Sequence, residues 1–343
     1  MKDLQLSYIP YSIPFSKPFV TSSFSLSERK GYIIQLKTKS GKTGIGDCAP
    51  LPEIGTEDFP SVEEQLKQLR SDFGINLDKP LESVTENLNK YNSLPTLRHA
   101  LEQAMLNLIC NETSVSLDTL LRIKFRRFVD VNAVIPKLKF SDSLSAAEKY
   151  ISQGFNTLKI KTGSESFEDD LRLIKKIREK FGDEIKIRTD VNGGWDLNSA
   201  QENLIQLNDY GIEYCEDPVN NPDDFGKLKE VSPVPLAADE LLIDKKNAVE
   251  IISNKLADVV IIKPMFAGGM LPALLLSEMA RENGIKTVIT TSLESVVGRT
   301  WAILTAACLS DNTAHGLNTG ILLKHDLMPD PLPVLNGRIK VSR

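Results

Sequence analysis

Charged side chains end several consecutive short apolar segments in the second half of this 343-residue chain. Three of them are carboxylates, Asp190, Glu216 and Asp239, and lysines stand before and after the set at Lys161 and Lys263. Neighbours in this series are 23 to 29 residues apart, which is about the length of one strand plus one helix. We therefore predict consecutive strand–helix units in parallel, with their strand ends meeting on one face.

Three converging carboxylates repel one another unless a cation neutralises them. These ligands are hard oxygens with neither Cys nor His among them, which favours Mg²⁺ or Mn²⁺ over zinc. We therefore predict that Asp190, Glu216 and Asp239 bind one of these ions. Lys159 and Lys161 are two residues apart on one strand and so face the same way. A buried ammonium beside a divalent cation is expected to have a lowered pKa, which suits it to proton transfer.

Each of these residues also has an ordinary structural interpretation. An Asp at a strand end often caps the following helix, and a Lys there often lies on a solvated face. Five such residues in consecutive units argue against coincidence. Two other chemistries stay open. An aldolase that forms a Schiff base on a barrel lysine leaves the three carboxylates unexplained, and the intact lysines argue against a metal-binding barrel without activity.

The elements that must position these residues follow residue 128, where short apolar segments alternate with amphipathic helical patterns. Eight such units over about 190 residues predict a (β/α)8-type barrel spanning residues 126–320. An open doubly wound sheet is the alternative, but no GxGxxG opens a helix after the first strand. The predicted strands are 129–135, 157–161, 185–190, 212–216, 235–239, 259–263, 287–291 and a weak one near 314–317.

Residues 1–125 have a different pattern and predict a separate α+β domain. Alternating stretches at 5–9, 31–38 and 43–46 indicate strands, with a turn at 39–42. One helix is predicted from apolar residues spaced by three and one: Leu97, Ala100, Leu101, Ala104, Met105, Leu108 and Ile109. The tail, 321–343, carries a hairpin-like Asn336-Gly337, and we expect it to return to the first domain as short strands.

Composition restricts the class of protein. Hydrophobic residues make up 41% and charged residues 25%, which is typical of globular proteins and excludes wholesale disorder. The net charge of -5, without a basic tract, argues against nucleic-acid partners and anionic membranes. No apolar stretch reaches the length of a membrane span, and residues 1–5 lack the pattern of a signal peptide. Four well-separated cysteines are expected as free thiols, so we predict a cytoplasmic protein.

The strand-end residues occur within short segments that resemble those of the enolase superfamily, in its muconate-lactonizing subgroup. The order and spacing of these segments match over nearly the whole chain. They are Lys159-Ile160-Lys161, Asp190-Val191-Asn192, Glu216-Asp217-Pro218, Ala238-Asp239-Glu240 and Ile262-Lys263-Pro264.

The resemblance implies a modified TIM barrel with an N-terminal α+β capping domain that the C-terminal tail completes. The loop 49–57, which contains Thr56, resembles the family's substrate-facing loop. The resemblance also implies roles: Mg²⁺ ligation by the three carboxylates, removal of a proton α to a carboxylate by Lys161, and a facing position across the substrate for Lys263. Lys159 would support Lys161, and Asn192 would help to hold substrate or the metal shell.

Two further segments resemble the o-succinylbenzoate synthases of this superfamily: residues 291–298, which include Ser292, and residues 315–320, which include Gly316. The resemblance implies Mg²⁺-dependent dehydration of 2-succinyl-6-hydroxy-2,4-cyclohexadiene-1-carboxylate to 2-succinylbenzoate, a step of menaquinone synthesis. Lys161 would remove the α-proton and then protonate the departing hydroxyl. Ser292, Gly316, Thr56 and Asn192 are the predicted substrate-binding residues.

Two other superfamily activities remain as alternatives. Dipeptide epimerases usually carry an Asp-x-Asp at strand eight to hold the substrate ammonium, whereas this chain has Leu317-Asn318-Thr319. N-succinylamino acid racemisation is the closer rival, because its substrate is also a succinylated carboxylate.

Overall fold

The computed structural model describes residues 1, 4–21, 24–69, 74–163 and 166–341, so the last two residues of the predicted tail lie outside it. Its strands are β1 (Gln5–Val20), β2 (Ser25–Lys37), β3 (Thr43–Cys48), β4 (Phe128–Asp130), β5 (Ala133–Ile135), β6 (Thr157–Lys161), β7 (Lys186–Asp190), β8 (Ile212–Glu216), β9 (Leu236–Ala238), β10 (Val259–Ile262), β11 (Lys286–Ile289), β12 (Val334–Leu335) and β13 (Arg338–Lys340).

The α-helices alternate with the strands after residue 133 and follow β3 before it. They are α1 (Phe59–Gln68), α2 (Pro80–Leu88), α3 (Pro95–Thr113), α4 (Leu117–Leu121), α5 (Phe140–Ser152), α6 (Phe167–Phe181), α7 (Leu197–Asn208), α8 (Pro222–Val231), α9 (Lys245–Ser253), α10 (Pro264–Ala267), α11 (Met270–Glu282) and α12 (Val296–Cys308).

The first domain is a three-stranded antiparallel sheet, in the order β1-β2-β3, with α3 packed against it. The apolar stripe predicted for α3 is buried in one cluster with the sheet. Glycines on β3 allow the close approach: a Cβ on Gly46 would lie 1.9 Å from the carbonyl oxygen of Ala100. Met270 and Trp301, from barrel helices, are buried in the same cluster, so the two domains share apolar packing.

The second domain is a curled sheet of seven parallel strands, β5 to β11, each hydrogen-bonded to the next in chain order. The predicted eighth strand is reduced to two single bridges. His315 bridges Val131 in parallel, and Gly316 bridges Thr290, so the short segment joins the two ends of the sheet. The structure confirms the prediction of a modified TIM barrel of the (β/α)8 type with an N-terminal capping domain.

The tail differs from the prediction that its short strands return to the capping domain. Asn336 and Gly337 have positive φ values of 52° and 68° and make the predicted tight turn between β12 and β13. β13 then pairs with β4 of the barrel region, where Ile339 lies opposite Val129 and both side chains are fully buried. The hairpin therefore packs on the barrel region, whereas an earlier part of the tail contacts the capping sheet through the bridge between Leu323 and Phe15 and the hydrogen bond from Lys324 N to Pro14 O.

The barrel core lies between the sheet and the surrounding helices. Inside the sheet, residues such as Tyr214, Ala237 and Val288 fill the space below the strand ends. All four cysteines are free, as predicted. In the described ranges, no helix is both long enough and apolar enough to span a bilayer.

Candidate active site

The predicted strand-end residues come together in the structure. The ammonium of Lys159 lies 2.6 Å from Glu216 Oε1 and 2.8 Å from Asp190 Oδ2. Lys161 donates to the same Asp190 oxygen at 2.6 Å. Lys263 forms an ion pair with Asp239 Oδ1. Four of the six predicted catalytic and metal-binding residues therefore form one set of contacting charges, and Lys263 and Asp239 form a second ion pair.

The parallel register explains why these side chains meet. Lys161 pairs with Asp190 across β6 and β7, and Asp190 pairs with Glu216 across β7 and β8. Residues at one level of neighbouring strands point to the same side of the sheet. β9 and β10 end one residue before Asp239 and Lys263. In barrel order β6 and β10 are four strands apart, so Lys161 and Lys263 approach the mouth from opposite sides.

Burial makes the interactions among these charges strong. Asp190, Glu216 and Asp239 are 1%, 0% and 8% exposed. Burial raises the pKa of Glu216, and the neighbouring Asp190 charge raises it further, to about 8. Burial alone would also raise the pKa of Asp190, but Lys159 and Lys161 outweigh it and hold that pKa well below its usual value. At neutral pH the carboxylate set therefore holds a proton or a cation in addition to the lysines.

The carboxylates in direct contact with Lys159 and Lys263 set the pKa values of these two lysines. Burial lowers the pKa of Lys159, but Asp190 and Glu216 outweigh burial and hold the pKa well above its ordinary value. The pKa of Lys263 is raised in the same way, because Asp239 and Glu240 outweigh burial. A divalent cation bound by the same carboxylates would oppose these shifts.

The residues present fit a Mg²⁺ ion. Glu216 Oε2 is buried without a hydrogen-bond partner in the described structure, so this oxygen is open to a cation. Asp190 and Asp239, on the two neighbouring strand ends, would offer further hard oxygen ligands. Asp217, Asp239 and Glu240 also lie within 4.8 Å of one another. However, the Asp217 carboxylate already accepts from the backbone N–H groups of Asp239 and Glu240, at 3.0 and 2.8 Å. Asp217 therefore shapes the Asp239 strand end.

Asn192 connects Lys161 to a further carboxylate. Lys161 donates to Asn192 Oδ1 at 2.8 Å, and the Asn192 side-chain amide donates to Glu240 Oε1 at 2.9 Å. Asn192 has a φ of 51°, a left-handed conformation that Asn tolerates well, and it turns the chain back above Asp190. The structure thus places Asn192 beside the proposed base.

The other predicted substrate-binding residues have different surroundings. Ser292 is buried just beyond β11, and its hydroxyl has no partner among the described residues. Gly316 leaves no room for a side chain, because a Cβ there would lie 2.5 Å from Thr290 Oγ1. Thr56 Oγ1 accepts from the N–H of Leu51 at 2.6 Å. The Thr56 hydroxyl therefore shapes its own loop.

Sequence reasoning missed buried charges that join the capping domain to the barrel. Arg29 is 2% exposed; it donates to Pro50 O and Ala49 O within the capping domain and to Ser292 O of the barrel at 3.5 Å. Asp47 accepts from the N–H and the hydroxyl of Ser295, at 3.0 and 2.6 Å. Arg29 stands between Glu28 and Lys30, so the local pattern did not distinguish it from an exposed charge.

This arrangement is suited to proton transfer at carbon. Two ammoniums stand on opposite sides of a mouth whose floor is a set of buried carboxylates. A carbon acid next to a carboxylate is weak, and positive charges aimed at the developing negative charge lower the barrier to its ionisation. The site can therefore hold a small carboxylate and remove its α-proton.

Two family descriptions match the chain. The family described as "Enolase C-terminal domain-like" matches residues 142–343, and "MenC, N-terminal domain" matches residues 1–106. The first match covers more than half of the chain and contains all the strand-end charges described above.

The curated relatives carry several activities. The chain is 27% identical over its whole length to the L-Ala-D/L-Glu epimerase of Bacillus subtilis, covering 93% of that protein. It is 32% identical to the o-succinylbenzoate synthase of Thermobifida fusca, over 64% of this chain and 68% of that one. The N-succinyl-L-Arg/Lys racemase of Bacillus cereus is 27% identical, over 87% of this chain and 82% of that one.

Solved structures agree with the fold. A substrate-liganded complex of the B. subtilis L-Ala-D/L-Glu epimerase has a TM-score of 0.89 at 25% identity, covering 100% of this chain and 97% of that one. The dipeptide epimerase of Enterococcus faecalis, in complex with Mg and the dipeptide L-Leu-L-Tyr, has a TM-score of 0.85 at 24% identity, with coverages of 100% and 98%. Enzymes of this group use Mg²⁺, in agreement with the acidic cluster found here. From the family match and these contacts, the chain belongs to the enolase superfamily.

Proposed function

We propose that this protein is a Mg²⁺-dependent o-succinylbenzoate synthase, acting in the cytoplasm on a small carboxylate substrate. The observation that carries the proposal is that Lys161 and Lys263, at strand ends four positions apart in the barrel, pair with the buried carboxylates Asp190 and Asp239. The substrate class follows from the segments at strands seven and eight and from the match of residues 1–106 to "MenC, N-terminal domain".

Asp190, Glu216 and Asp239 would hold the Mg²⁺. When bound, the ion would neutralise charge on the substrate carboxylate and so acidify the α-carbon. The uncharged amine of Lys161 would take the α-proton and become an ammonium, while the electron pair of the broken C–H bond passes to the substrate carboxylate as an enediolate. The same ammonium would then return a proton to the 6-hydroxyl as the C–O bond breaks. One water leaves and the ring becomes aromatic, so atoms and electrons balance without an oxidant.

Lys263 and Asn192 would assist without exchanging protons with the product. Lys263 approaches from the opposite side of the mouth, where its positive charge would stabilise the developing anion. Asn192 contacts Lys161 and holds its ammonium in place over the site. The ammonium of Lys159 is engaged by Asp190 and Glu216, which leaves it a supporting role.

Racemisation of N-succinylamino acids is the second candidate, because two lysines on opposite sides also suit removal and return of a proton on opposite faces. The relatives that match most of the chain include both racemases and epimerases. Dipeptide epimerisation has less support: the strand-eight segment is Leu317-Asn318-Thr319, which lacks the acidic pair that would hold a substrate ammonium. The free acid groups of a succinylated substrate need no such pair.

Proton exchange separates these candidates. The purified protein with Mg²⁺ is incubated in D₂O with N-succinyl-L-phenylalanine, and separately with L-Ala-L-Glu, and the α-hydrogen is followed by NMR. The proposal predicts no exchange with the dipeptide and slow or no exchange with the succinyl amino acid, compared with rapid dehydration of the cyclohexadiene. Dipeptide exchange faster than dehydration would replace the synthase with an epimerase.

Borohydride trapping tests the aldolase alternative. An aldolase would join a keto substrate to a lysine amine as a Schiff base, and this chemistry gives the three buried carboxylates Asp190, Glu216 and Asp239 no role. We expect no adduct on Lys159, Lys161 or Lys263 when sodium borohydride is added with a keto acid. A stable adduct on one of them would support the aldolase instead.

A further inference from the structure

A buried ion pair on the capping helix contacts the turn that follows Lys263. Arg98 and Glu102 lie one helical turn apart on α3, with 3.4 Å between the charged atoms and side-chain exposures of 6% and 1%. Arg98 donates to the carbonyl of Gly268, and Glu102 Oε1 accepts from the N–H of Leu271 at 3.0 Å. Neither residue contacts the carboxylate set or the lysines directly.

The same turn fixes the backbone of Lys263. The N–H groups of Phe266 and Ala267 donate to Lys263 O at 3.0 and 2.9 Å, and Gly269 N donates to Pro264 O at 2.8 Å. α10 is therefore one short turn, with Lys263 at its start and the contacts of Arg98 and Glu102 at its end.

The turn 264–269 packs closely against the Arg98–Glu102 ion pair. Gly268 and Gly269 have φ values of 87° and 145°, which side-chain-bearing residues rarely adopt. A Cβ on Gly269 would lie 2.4 Å from the Glu102 carboxylate. α3 is itself fixed against β3, where Gly44 and Gly46 admit its backbone. The capping sheet therefore packs closely against α3, and α3 packs closely against the turn that follows Lys263.

Lys161 has no such link to the capping domain among its described contacts. Its hydrogen-bond partners, Asp190 and Asn192, both belong to the barrel. The Lys263 side chain also pairs with a barrel carboxylate, Asp239, but its backbone leads into a turn that the capping domain contacts.

We propose that Arg98 and Glu102 are positioning residues, which set the place of Lys263 across the mouth from Lys161 by holding the turn 264–269. This inference rests on the proposed role of Lys263 in the reaction. It makes closure of the cap and placement of one catalytic ammonium the same structural event.

The test uses the full-length protein with Mg²⁺ and compares four variants. Arg98→Met and Glu102→Ala remove the contacts, whereas Glu102→Gln keeps an oxygen acceptor for the Leu271 N–H. Arg126→Met is the matched control, because Arg126 donates to the carbonyl of Asp311 at the opposite end of the barrel. A short pulse of acetic anhydride followed by peptide mass spectrometry gives the labelling ratio of Lys263 to Lys161.

We expect this ratio to change by about threefold or more in Arg98→Met and Glu102→Ala, and to stay near the wild-type value in Glu102→Gln and Arg126→Met. The kcat for the cyclohexadiene should fall by about tenfold or more in the first two, with KM little changed, since small misplacements of catalytic groups cost rate. If Glu102→Ala does not fold, Arg98→Lys, which keeps the buried charge but loses the guanidinium geometry, takes its place.

An unchanged labelling ratio in folded Arg98→Met or its replacements would overturn the inference, as would an equal change in Arg126→Met. The labelling ratio needs no turnover. If the wild-type protein does not convert the cyclohexadiene, the proposed function fails, while the ratio still decides whether the ion pair positions Lys263.

Discussion

Within the pair on β6, exposure separates the supporting lysine from the proposed base. The Lys159 side chain is 16% exposed, and two carboxylates engage its ammonium. The Lys161 side chain is 31% exposed and reaches the mouth past Asp190, with Asn192 beside it. A base must touch the substrate carbon, so the outer lysine of the pair is the better candidate.

Replacing Lys161 by alanine should abolish turnover while the fold persists. General acid–base catalysis by one group typically contributes about 10²–10⁴-fold, and Lys161 would serve in both proton transfers. We expect kcat to fall by at least about 10³-fold, with an unchanged circular dichroism spectrum. A Lys161→Ala protein with near wild-type kcat would rule out the assigned mechanism.

Replacing Asp239 by asparagine should weaken metal binding. The change removes the negative charge of one proposed ligand but keeps the size and shape of the side chain. Mn²⁺ affinity, measured by electron paramagnetic resonance, should therefore fall by about tenfold or more. Glu278→Gln is the control, because Glu278 is an exposed carboxylate on α11 that pairs only with Arg281 among its described contacts. Equal Mn²⁺ affinities in the two variants would contradict the ligand assignment.

Glu294 should make stability depend on pH. This residue is 1% exposed, and burial raises its pKa from 4.5 to about 7. Between these two values the folded protein keeps a proton that the unfolded chain has lost, so its contribution to stability is present below pH 4.5 and is lost as pH rises to about 7. Urea unfolding of wild type and Glu294→Gln should therefore diverge over this window, with the variant losing less stability. Parallel curves would count against this assignment.

At the scale of elements, the strands and the long helix were predictable from periodicity. The predicted segments 157–161 and 212–216 coincide with β6 and β8, and the apolar stripe of α3 is buried as expected. The first predicted strand, 129–135, divides into β4 and β5, because β4 pairs with the tail strand β13. That pairing joins segments about 200 residues apart in the chain, so no local sequence pattern predicts it.

The predicted eighth strand has the least regular sequence pattern, and in the structure it forms only isolated bridges. Residues 314–317 alternate poorly and contribute only single bridges at His315 and Gly316. The His315 side chain is buried, and its Nδ1 accepts from the N–H of Ile289 at 3.0 Å. This histidine therefore supports barrel closure through its side chain as well as through its backbone.

The packing of α3 on β3 provides a test of stability. A Cβ on Gly46 would lie 1.9 Å from the carbonyl oxygen of Ala100, so Gly46→Ala must displace backbone and should destabilise by about 1–3 kcal/mol or more. Gly226 is the matched glycine within α8, and the nearest atom to its Cβ would be Leu256 Cδ2 at 4.0 Å. Gly226→Ala should be neutral or stabilise by about 0.5–1 kcal/mol. Urea midpoints compare the two, and an unperturbed Gly46→Ala would refute the close packing.

At the scale of the whole molecule, the strand-end charges were predictable, but the contacts between domains were not. Parallel strands fix the level of Lys161, Asp190 and Glu216 whatever surrounds them, so spacing alone was enough. Arg29 and Ser292, or Glu102 and Leu271, meet only because the cap closes on the barrel. Such pairs depend on the relative placement of domains, which no local periodicity encodes.

The assembled molecule therefore couples two tasks. The barrel supplies the carboxylates and Lys161, and the capping domain contacts the turn beyond Lys263 and the segment after β11. A substrate enclosed between them loses water, and the fixed charges then act more strongly than they would in solvent.

The most direct measurement is a steady-state assay of the purified protein with 2-succinyl-6-hydroxy-2,4-cyclohexadiene-1-carboxylate, with Mg²⁺ and with excess chelator, following loss of the diene absorbance. The account predicts a kcat/KM of about 10⁴ M⁻¹s⁻¹ or above with Mg²⁺, the ordinary range of enzymes, and no turnover with chelator. An inert diene, or a rate that does not depend on Mg²⁺, would contradict it.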